Sequence, residues 1–314
     1  MLVLHFPSSW GRALNSSEYP LERQFDLAST LISAQAFQWR EFNGIWVGAV
    51  ADTVVAIRQT PSSIIVEDYC ADNWSPQEYF RMKDNLEDIN QDIRNDPLID
   101  TLLAAKADIA LTSQDPWQCT LMFLCSTNNN AKRISNMVLS LNRMFGVAVE
   151  TPYGQIYKFP SPRSLSSASV HQLETCGLGY RAKFVRDFAS IVYQGALDFK
   201  DLKKANYKDA VAQLVELPGI GPKVADCISL LSLDKLEAFP MDIWIRRVVS
   251  RRYYRLLEKS DVRRLLDESK TVSPQLYRRV TLAMRSHFGR FAGYAQNTLY
   301  YNAKRLVSER TIAA

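Results

Sequence analysis

Two hydrophobic periods divide the chain. In "FQWREFNGIWVGAVADTVVAIRQT", Phe37 to Thr60, apolar and polar residues alternate about Asn43-Gly44. That dipeptide is a hairpin signal, because both central positions of such a turn need a left-handed backbone. The alternation turns again near Asp52, and "SSIIVEDY" predicts a third strand. From about Tyr79 the apolar residues recur at helical spacing, beginning with "YFRMKDNLEDINQDI". Asp115-Pro116 opens a further helix, "PWQCTLMFLCST", apolar nearly all round and therefore expected at the centre of a core. It stops at Asn128 to Asn130, and "AKRISNMVLSLNRMFG" restarts the period with Gly146 as its expected C-cap. After the loop "FPSPRSL", short helices are expected around "HQLETCGLGYRAKFVRDFASIV", then a glycine-rich hairpin, "DIWIRRVVSRRYY" and a last helix from about Ala292. The pattern predicts an α+β chain: an antiparallel-sheet domain over 1–112, then an all-helical domain over 113–314.

Composition changes this picture little. The 314 residues give room for two domains, and 47% hydrophobic with 23% charged residues excludes wholesale disorder. No apolar run reaches membrane-spanning length. Five cysteines (Cys70, Cys119, Cys125, Cys176 and Cys227), scattered and without a CxxC pair, suggest a reducing, intracellular setting. Three histidines without HxxxH or HxE spacing make a metal site unexpected.

Charge says more by its distribution than by its total of +5. Arginines crowd the stretch from Arg246 to Arg290, whereas Glu67 to Asp115 is acidic. The basic half fits a nucleic-acid partner or, equally, a solvated helix face.

The candidate chemistry lies in "QLVELPGIGPKVADCISLLSL", which reads as helix, tight turn, helix, with the hairpin over about 210–232. Gly219 and Gly221 are expected to adopt conformations closed to other residues and to turn backbone N–H groups outward. Such a hairpin can hold a DNA phosphate, or be a plain structural turn. Pro222 suits the first helical position, which sets Lys223 in the first turn. A cation there opposes the helix dipole by roughly 0.3–1 kcal/mol. That field, with desolvation in a cleft, favours the uncharged amine, which is a nucleophile where the ammonium is not. An exposed lysine reaching into water is the alternative. Farther on, Asp242 precedes an amphipathic helix as its expected N-cap. Backbone N–H bonds are expected to keep its pKa low, so that it stays anionic and can stabilise positive charge on a sugar.

The segment "LPGIGPKVADCISLLSLDKLEAFPMDIW" resembles the helix-hairpin-helix motif of a DNA glycosylase superfamily. The rest of the chain is similar to one branch, the 8-oxoguanine DNA glycosylases of the eukaryotic type. The matching stretches are "FDLASTLISAQAFQWRE", "SQDPWQCTLMFLCSTNNNAKRI", "CGLGYRAKFV" and "GYAQNTLYY", in the family's order over nearly the whole chain. The resemblance implies a bifunctional glycosylase and lyase that removes 8-oxoguanine opposite cytosine and nicks the strand. It makes Lys223 the nucleophile at the anomeric carbon, forming a Schiff base, and Asp242 the stabiliser of the oxocarbenium-like transition state. The partner is then duplex DNA containing oxidised guanine, with no cofactor and no membrane; a monomer is expected.

An extruded base leaves a gap in the duplex. By resemblance Asn128 fills it, Tyr180 is a wedge beside it, and Arg133 and Arg181 read the estranged cytosine. Gly219 and Gly221 of the hairpin face the DNA backbone. Gln296 and Cys227 match pocket residues on the pairing edge and one face of the base. Three positions depart from the family. Ala34 stands where a glycine carbonyl recognises the oxidised purine, Tyr300 replaces a stacking phenylalanine, and Trp244 replaces a histidine near the lesion's phosphate. These departures leave two rivals open: a glycosylase for alkylated or other damaged bases, or a non-enzymatic helix-hairpin-helix DNA-binding module.

Overall fold

The computed structural model describes residues 11–70, 74–105 and 109–308. Its fold is α+β, an N-terminal antiparallel sheet followed by a helical domain with the hairpin. Five strands, β1 (Asn15–Pro20), β2 (Arg40–Phe42), β3 (Ile45–Val50), β4 (Thr53–Gln59) and β5 (Ser63–Asp68), order as β1-β5-β4-β3-β2 with every neighbour antiparallel. Asn43 and Gly44 make the β2–β3 turn at φ 50° and 83°, as the hairpin signal requires. β1 escaped the sequence reading because it has no alternation to read. Five of its six residues are exposed, and it is held to the edge of β5 by backbone pairing, from Asn15 against Asp68 to Pro20 against Ser63.

The helical period after Tyr79 is interrupted. Pro76–Tyr79 is a short helix, Arg81 takes a left-handed φ of 49°, and Leu86–Ile93 starts afresh on an Asn85 cap. Pro116–Ser126 is buried on all sides from Gln118 to Cys125, as its uniformly apolar sequence predicted. Trp117 leaves this helix to stack on Phe188 with centroids 5.3 Å apart, and its indole N–H donates to the Pro160 carbonyl at 3.0 Å. The half expected to be all helix also carries a two-stranded hairpin, β6 (Ala148–Thr151) with β7 (Gly154–Tyr157). Four-residue strands at a surface give too short a pattern to recognise.

The described residues form two compact units. One draws on Met1–Lys83 and Thr112–Asp198, the other on Asp84–Leu111 and Phe199–Ala314. The compact units interleave across the expected division at 112/113, since Thr112–Asp198 groups with the N-terminal segment and Asp84–Leu111 with the C-terminal one.

The second unit is built round Pro222–Ser232, the lysine helix, in which every residue from Val224 to Ser232 is buried. Ala292–Tyr301, the glutamine helix, approaches it closely at Gly293. A Cβ there would lie 2.2 Å from Leu230 Cδ1 and 2.9 Å from the Leu236 carbonyl oxygen, which itself accepts the Gly293 N–H at 2.8 Å. The leucine tip can move; the carbonyl, fixed by that hydrogen bond, cannot. Gly293→Ala is therefore expected to destabilise the fold by about 1–3 kcal/mol, seen as a lowered urea midpoint at unchanged slope.

Candidate active site

The hairpin forms from Tyr207–Val215 and the lysine helix. Gly219 takes φ +78°, closed to most L-residues. Gly221 does not: its φ is −89° and ψ 176°, ordinary extended backbone. Of the two glycines only the first is required by conformation. A Cβ on Gly221 would meet nothing within 4 Å, so its smallness leaves open space at the helix entrance. Gly221 is the N-cap, no side chain caps the helix, and Pro222 and Lys223 are its first two residues. The first-turn N–H groups thus face outward without a side-chain acceptor.

Lys223 is half-buried, and its amine hydrogen-bonds the Cys227 thiol one turn on. Burial pushes the Cys227 thiol up to about 11; the Lys223 charge opposes this, while Asp226 and Asp242 add to it. Cys227 therefore stays a thiol near neutral pH. Asp242 caps Ile243–Arg252, the aspartate helix, accepting the Ile245 N–H at 2.9 Å. Its electrostatics correct the expectation from sequence. Burial raises its pKa above the ordinary aspartate value, and the opposing hydrogen bond from Ile245 and the charge of Lys223 only partly offset the effect. A cap at the surface would be acidic; this one is lodged among packed side chains.

Tyr300 lies in the same neighbourhood: burial raises its phenol first, with the nearby Asp242 and Cys227 adding to it. Gln296 is buried, and its amide nitrogen donates to the Pro240 carbonyl at 3.0 Å, two residues before Asp242. Thus Lys223, Asp242, Cys227, Gln296 and Tyr300 converge from three helices of one unit. Trp244, second residue of the aspartate helix, carries the Arg247 guanidinium 5.0 Å over its ring, and Arg247 in turn grips Glu268 through two hydrogen bonds of 2.8 and 2.6 Å.

The first unit holds the remaining candidates. Asn128 is exposed and left-handed at φ 49°, directly after Pro116–Ser126 and its Thr127 C-cap. Arg133 is exposed in the first turn of Ala131–Phe145. Tyr180 is 55% exposed. Arg181, expected to present donors to a base, is only 7% exposed and spends them on backbone. Its guanidinium donates to the carbonyls of Thr127 at 3.0 Å, Leu178 at 3.3 Å and Asn128 at 3.4 Å, while lying 4.5 Å over the Tyr180 ring. In this arrangement Arg181 braces the Asn128 turn and the Tyr180 wedge.

Ala34 keeps a left-handed backbone, φ 60°, despite its Cβ. Its neighbours are clamped. The Ser33 hydroxyl donates to the Thr30 carbonyl at 2.7 Å and accepts from the Gln35 amide at 2.8 Å. The Gln35 side-chain oxygen accepts the Thr112 N–H at 2.9 Å, and its backbone carbonyl accepts from Gln114 at 2.7 Å.

The basic stretch divides: Arg255, Arg263, Arg264, Arg278 and Arg290 are exposed, whereas others are spent on internal partners. Arg246 is buried and donates to the carbonyls of Arg264, Leu265, Asp267 and Lys270. Arg251 and Arg252 cap Ala303–Ser308 through Val307 and Leu306, and Arg279 pairs with Asp261. This part of the arginine run is structural scaffolding.

A glycine-turn hairpin, an amine at the start of its second helix and a capping aspartate ahead of the next define a class, the helix-hairpin-helix proteins of base excision repair. The family model described as "HhH-GPD superfamily base excision DNA repair protein" matches residues 121–271. A second, "8-oxoguanine DNA glycosylase, N-terminal domain", matches residues 19–120. The N-glycosylase/DNA lyase OGG1 of Arabidopsis thaliana is 30% identical over 291 residues, covering 88% of this chain and 77% of the plant protein. Among solved structures, the Clostridium acetobutylicum 8-oxoguanine glycosylase/lyase without DNA is 27% identical with a TM-score of 0.77, over 88% of this chain and 92% of that one. The same enzyme with duplex DNA containing cytosine opposite 8-oxoguanine gives 0.75 at 27% identity, over 90% and 92%. The chain belongs to the 8-oxoguanine DNA glycosylase family.

The two hairpin glycines separate stability from binding. Gly219→Ala should lose about 1–2 kcal/mol of stability from its left-handed backbone. Gly221→Ala should unfold within about 0.5 kcal/mol of the parent yet bind a DNA duplex more weakly in fluorescence anisotropy, because its methyl occupies the entrance.

Proposed function

We propose that this protein removes 8-oxoguanine from duplex DNA opposite cytosine and then nicks the abasic strand, using Lys223 and Asp242. The observation that carries this reading is the Lys223 amine at the mouth of a buried helix, bonded to Cys227 and close enough to Asp242 to shift its titration. The uncapped N–H groups of the first turn suit a phosphate of the damaged strand. That contact would bring the sugar of an extruded nucleotide toward the amine.

In this mechanism the neutral amine attacks C1′ as the glycosidic bond breaks, and the bonding pair leaves with the purine. Asp242, ionised, stabilises the positive charge that develops on the sugar. The departing base takes up one proton and the lysine nitrogen gives one up. Ring opening then leaves an imine between Lys223 and C1′. Loss of a proton from C2′ expels the 3′ phosphate, so the strand breaks 3′ to the lesion, and water releases the enzyme from the sugar. Every step uses amine, carboxylate and water, and the reading assigns no cofactor.

Roles for the other candidates follow the resemblance. Gln296, its amide nitrogen committed to Pro240, keeps its carbonyl oxygen for the pairing edge of the purine. Cys227, kept a thiol by burial, offers an uncharged face, and Tyr300 a ring. Asn128 and Tyr180 are suited to fill the gap left by the base, and exposed Arg133 to contact the unpaired cytosine. The partner is duplex DNA containing oxidised guanine.

Borohydride reduction tests the lysine. Wild type should trap covalently on a duplex with 8-oxoguanine opposite cytosine, and Lys223→Gln should give no adduct. An equal adduct from the variant removes Lys223 from the mechanism, and excision of 3-methyladenine in place of 8-oxoguanine transfers the enzyme to another substrate class. Asp242→Asn should bind DNA nearly normally while base release slows by about 10²–10³-fold. The pH profile has a definite sign. Since Asp242 must be anionic and burial raises its pKa, excision should fall on acidification at a higher pH than an ordinary aspartate would dictate.

A further inference from the structure

One buried carboxylate stands outside this chemistry. Asp226, three residues beyond Lys223, is 1% exposed in the middle of the lysine helix. Its two oxygens accept the hydroxyls of Tyr207 at 2.6 Å and Tyr277 at 2.7 Å. Burial raises both phenols, and the neighbouring Asp226 raises them further, so each remains a donor. Burial also pushes Asp226 up to about 6, against the two phenol hydrogen bonds and the charge of Arg285, whose guanidinium lies 3.7 Å over the Tyr207 ring. If Asp226 served only to tie three helices together, apolar packing would do so at lower desolvation cost. A carboxylate there suggests a further role.

Tyr277 supplies it. The oxygen that donates to Asp226 also accepts the Met241 N–H, at 3.2 Å. Met241 immediately precedes Asp242. The strand entering the aspartate helix is thus held at consecutive residues: Pro240 by Gln296, Met241 by Tyr277 and Asp242 by its cap to Ile245. Only the Tyr277 contact leads back to the lysine helix through a charged group. An anion accepting the Tyr277 proton makes that phenol oxygen a stronger acceptor for Met241, since hydrogen bonds in a chain polarise one another.

We propose that Asp226 and Tyr277 are positioning residues, a two-bond relay that fixes the Asp242 carboxylate relative to the Lys223 amine. The inference rests on the reading of Lys223 and Asp242 as the reacting pair. Tyr207 shares the same carboxylate but, among the described residues, makes no hydrogen bond to the 240–242 segment, so it serves as the internal control.

The test compares Tyr277→Phe with Tyr207→Phe, each of which deletes one hydroxyl from the same anion. Wild-type trapping and its loss in Lys223→Gln are measured first, so a failure there counts against the reacting pair and is distinct from a failure of the relay. Tyr277→Phe should slow single-turnover base release about tenfold or more while duplex Kd stays within about twofold, as expected for misplacement of a reacting group. Tyr207→Phe, at a similar loss of Tm, should keep its rate within about threefold, because its partner is not in line with the reaction. Amide exchange at Met241 should accelerate in the first variant and not in the second. If Tyr277→Phe does not fold, Asp226→Asn carries the same comparison, since an amide cannot accept both phenols as the carboxylate does. Equal rates for the two phenylalanine variants, or rates that merely follow Tm, would overturn the relay.

Discussion

A helix buried from its third residue onward can offer only its entrance to a ligand. This constraint organises the second unit. The lysine helix is enclosed from Val224 to Ser232, so Gly221, Pro222 and Lys223 are the part left accessible to a ligand. The half-buried Lys223 rests its amine on Cys227, a residue of the enclosed stretch. The remaining candidates of the unit are arranged round that entrance, because the glutamine helix can approach only where Gly293 admits it and the 240–242 strand only where Tyr277 and Gln296 hold it. Reactivity and stability are therefore coupled here through packing, and residues far from any reacting atom carry part of the site's geometry.

What could be read in the chain follows from how local each signal is. The β2–β5 meander and the Asn43-Gly44 turn are written in consecutive residues, and so are Pro222 at the first helical position and Asp242 at its cap. β1 has no side-chain pattern of its own and is held by a partner far along the chain, Asn15 by Asp68 and Pro20 by Ser63, so its strand character resides in β5. The arginine run looked like a surface field because a sequence shows charge without its acceptors. Carbonyls at the ends of helices consume Arg246, Arg251 and Arg252, and nothing near them in sequence announces it. Asp226 gave one available hint, a carboxylate in the middle of a mostly apolar helix, but its meaning depended on Tyr207 and Tyr277 arriving from 19 and 51 residues away.

The same limit explains the two reversals in electrostatics. A capping aspartate read alone is stabilised as an anion by the N–H groups it accepts, and Asp242 does accept one. The sign changes because desolvation depends on everything packed around the carboxylate, which no local motif contains. Arg181 is the mirror case. Its neighbours in sequence suggest a free cation beside Tyr180, yet the carbonyls of Thr127 and Asn128, more than fifty residues earlier, claim its donors. The turn that presents Asn128 in a left-handed conformation is thereby held by the Arg181 guanidinium.

Ala34 is a further case in which distant partners decide local geometry. An L-residue in the left-handed region costs about 1–2 kcal/mol relative to glycine, and such a backbone relaxes unless its surroundings forbid it. Here they do. Ser33 on one side is bound twice and Gln35 on the other three times, to Thr30, Thr112, Gln114 and one another, all buried. The strain is small against four such hydrogen bonds at about 1 kcal/mol each. The left-handed backbone at Ala34 is therefore set by the clamp in its flanking residues, which holds whether or not the residue between them carries a methyl.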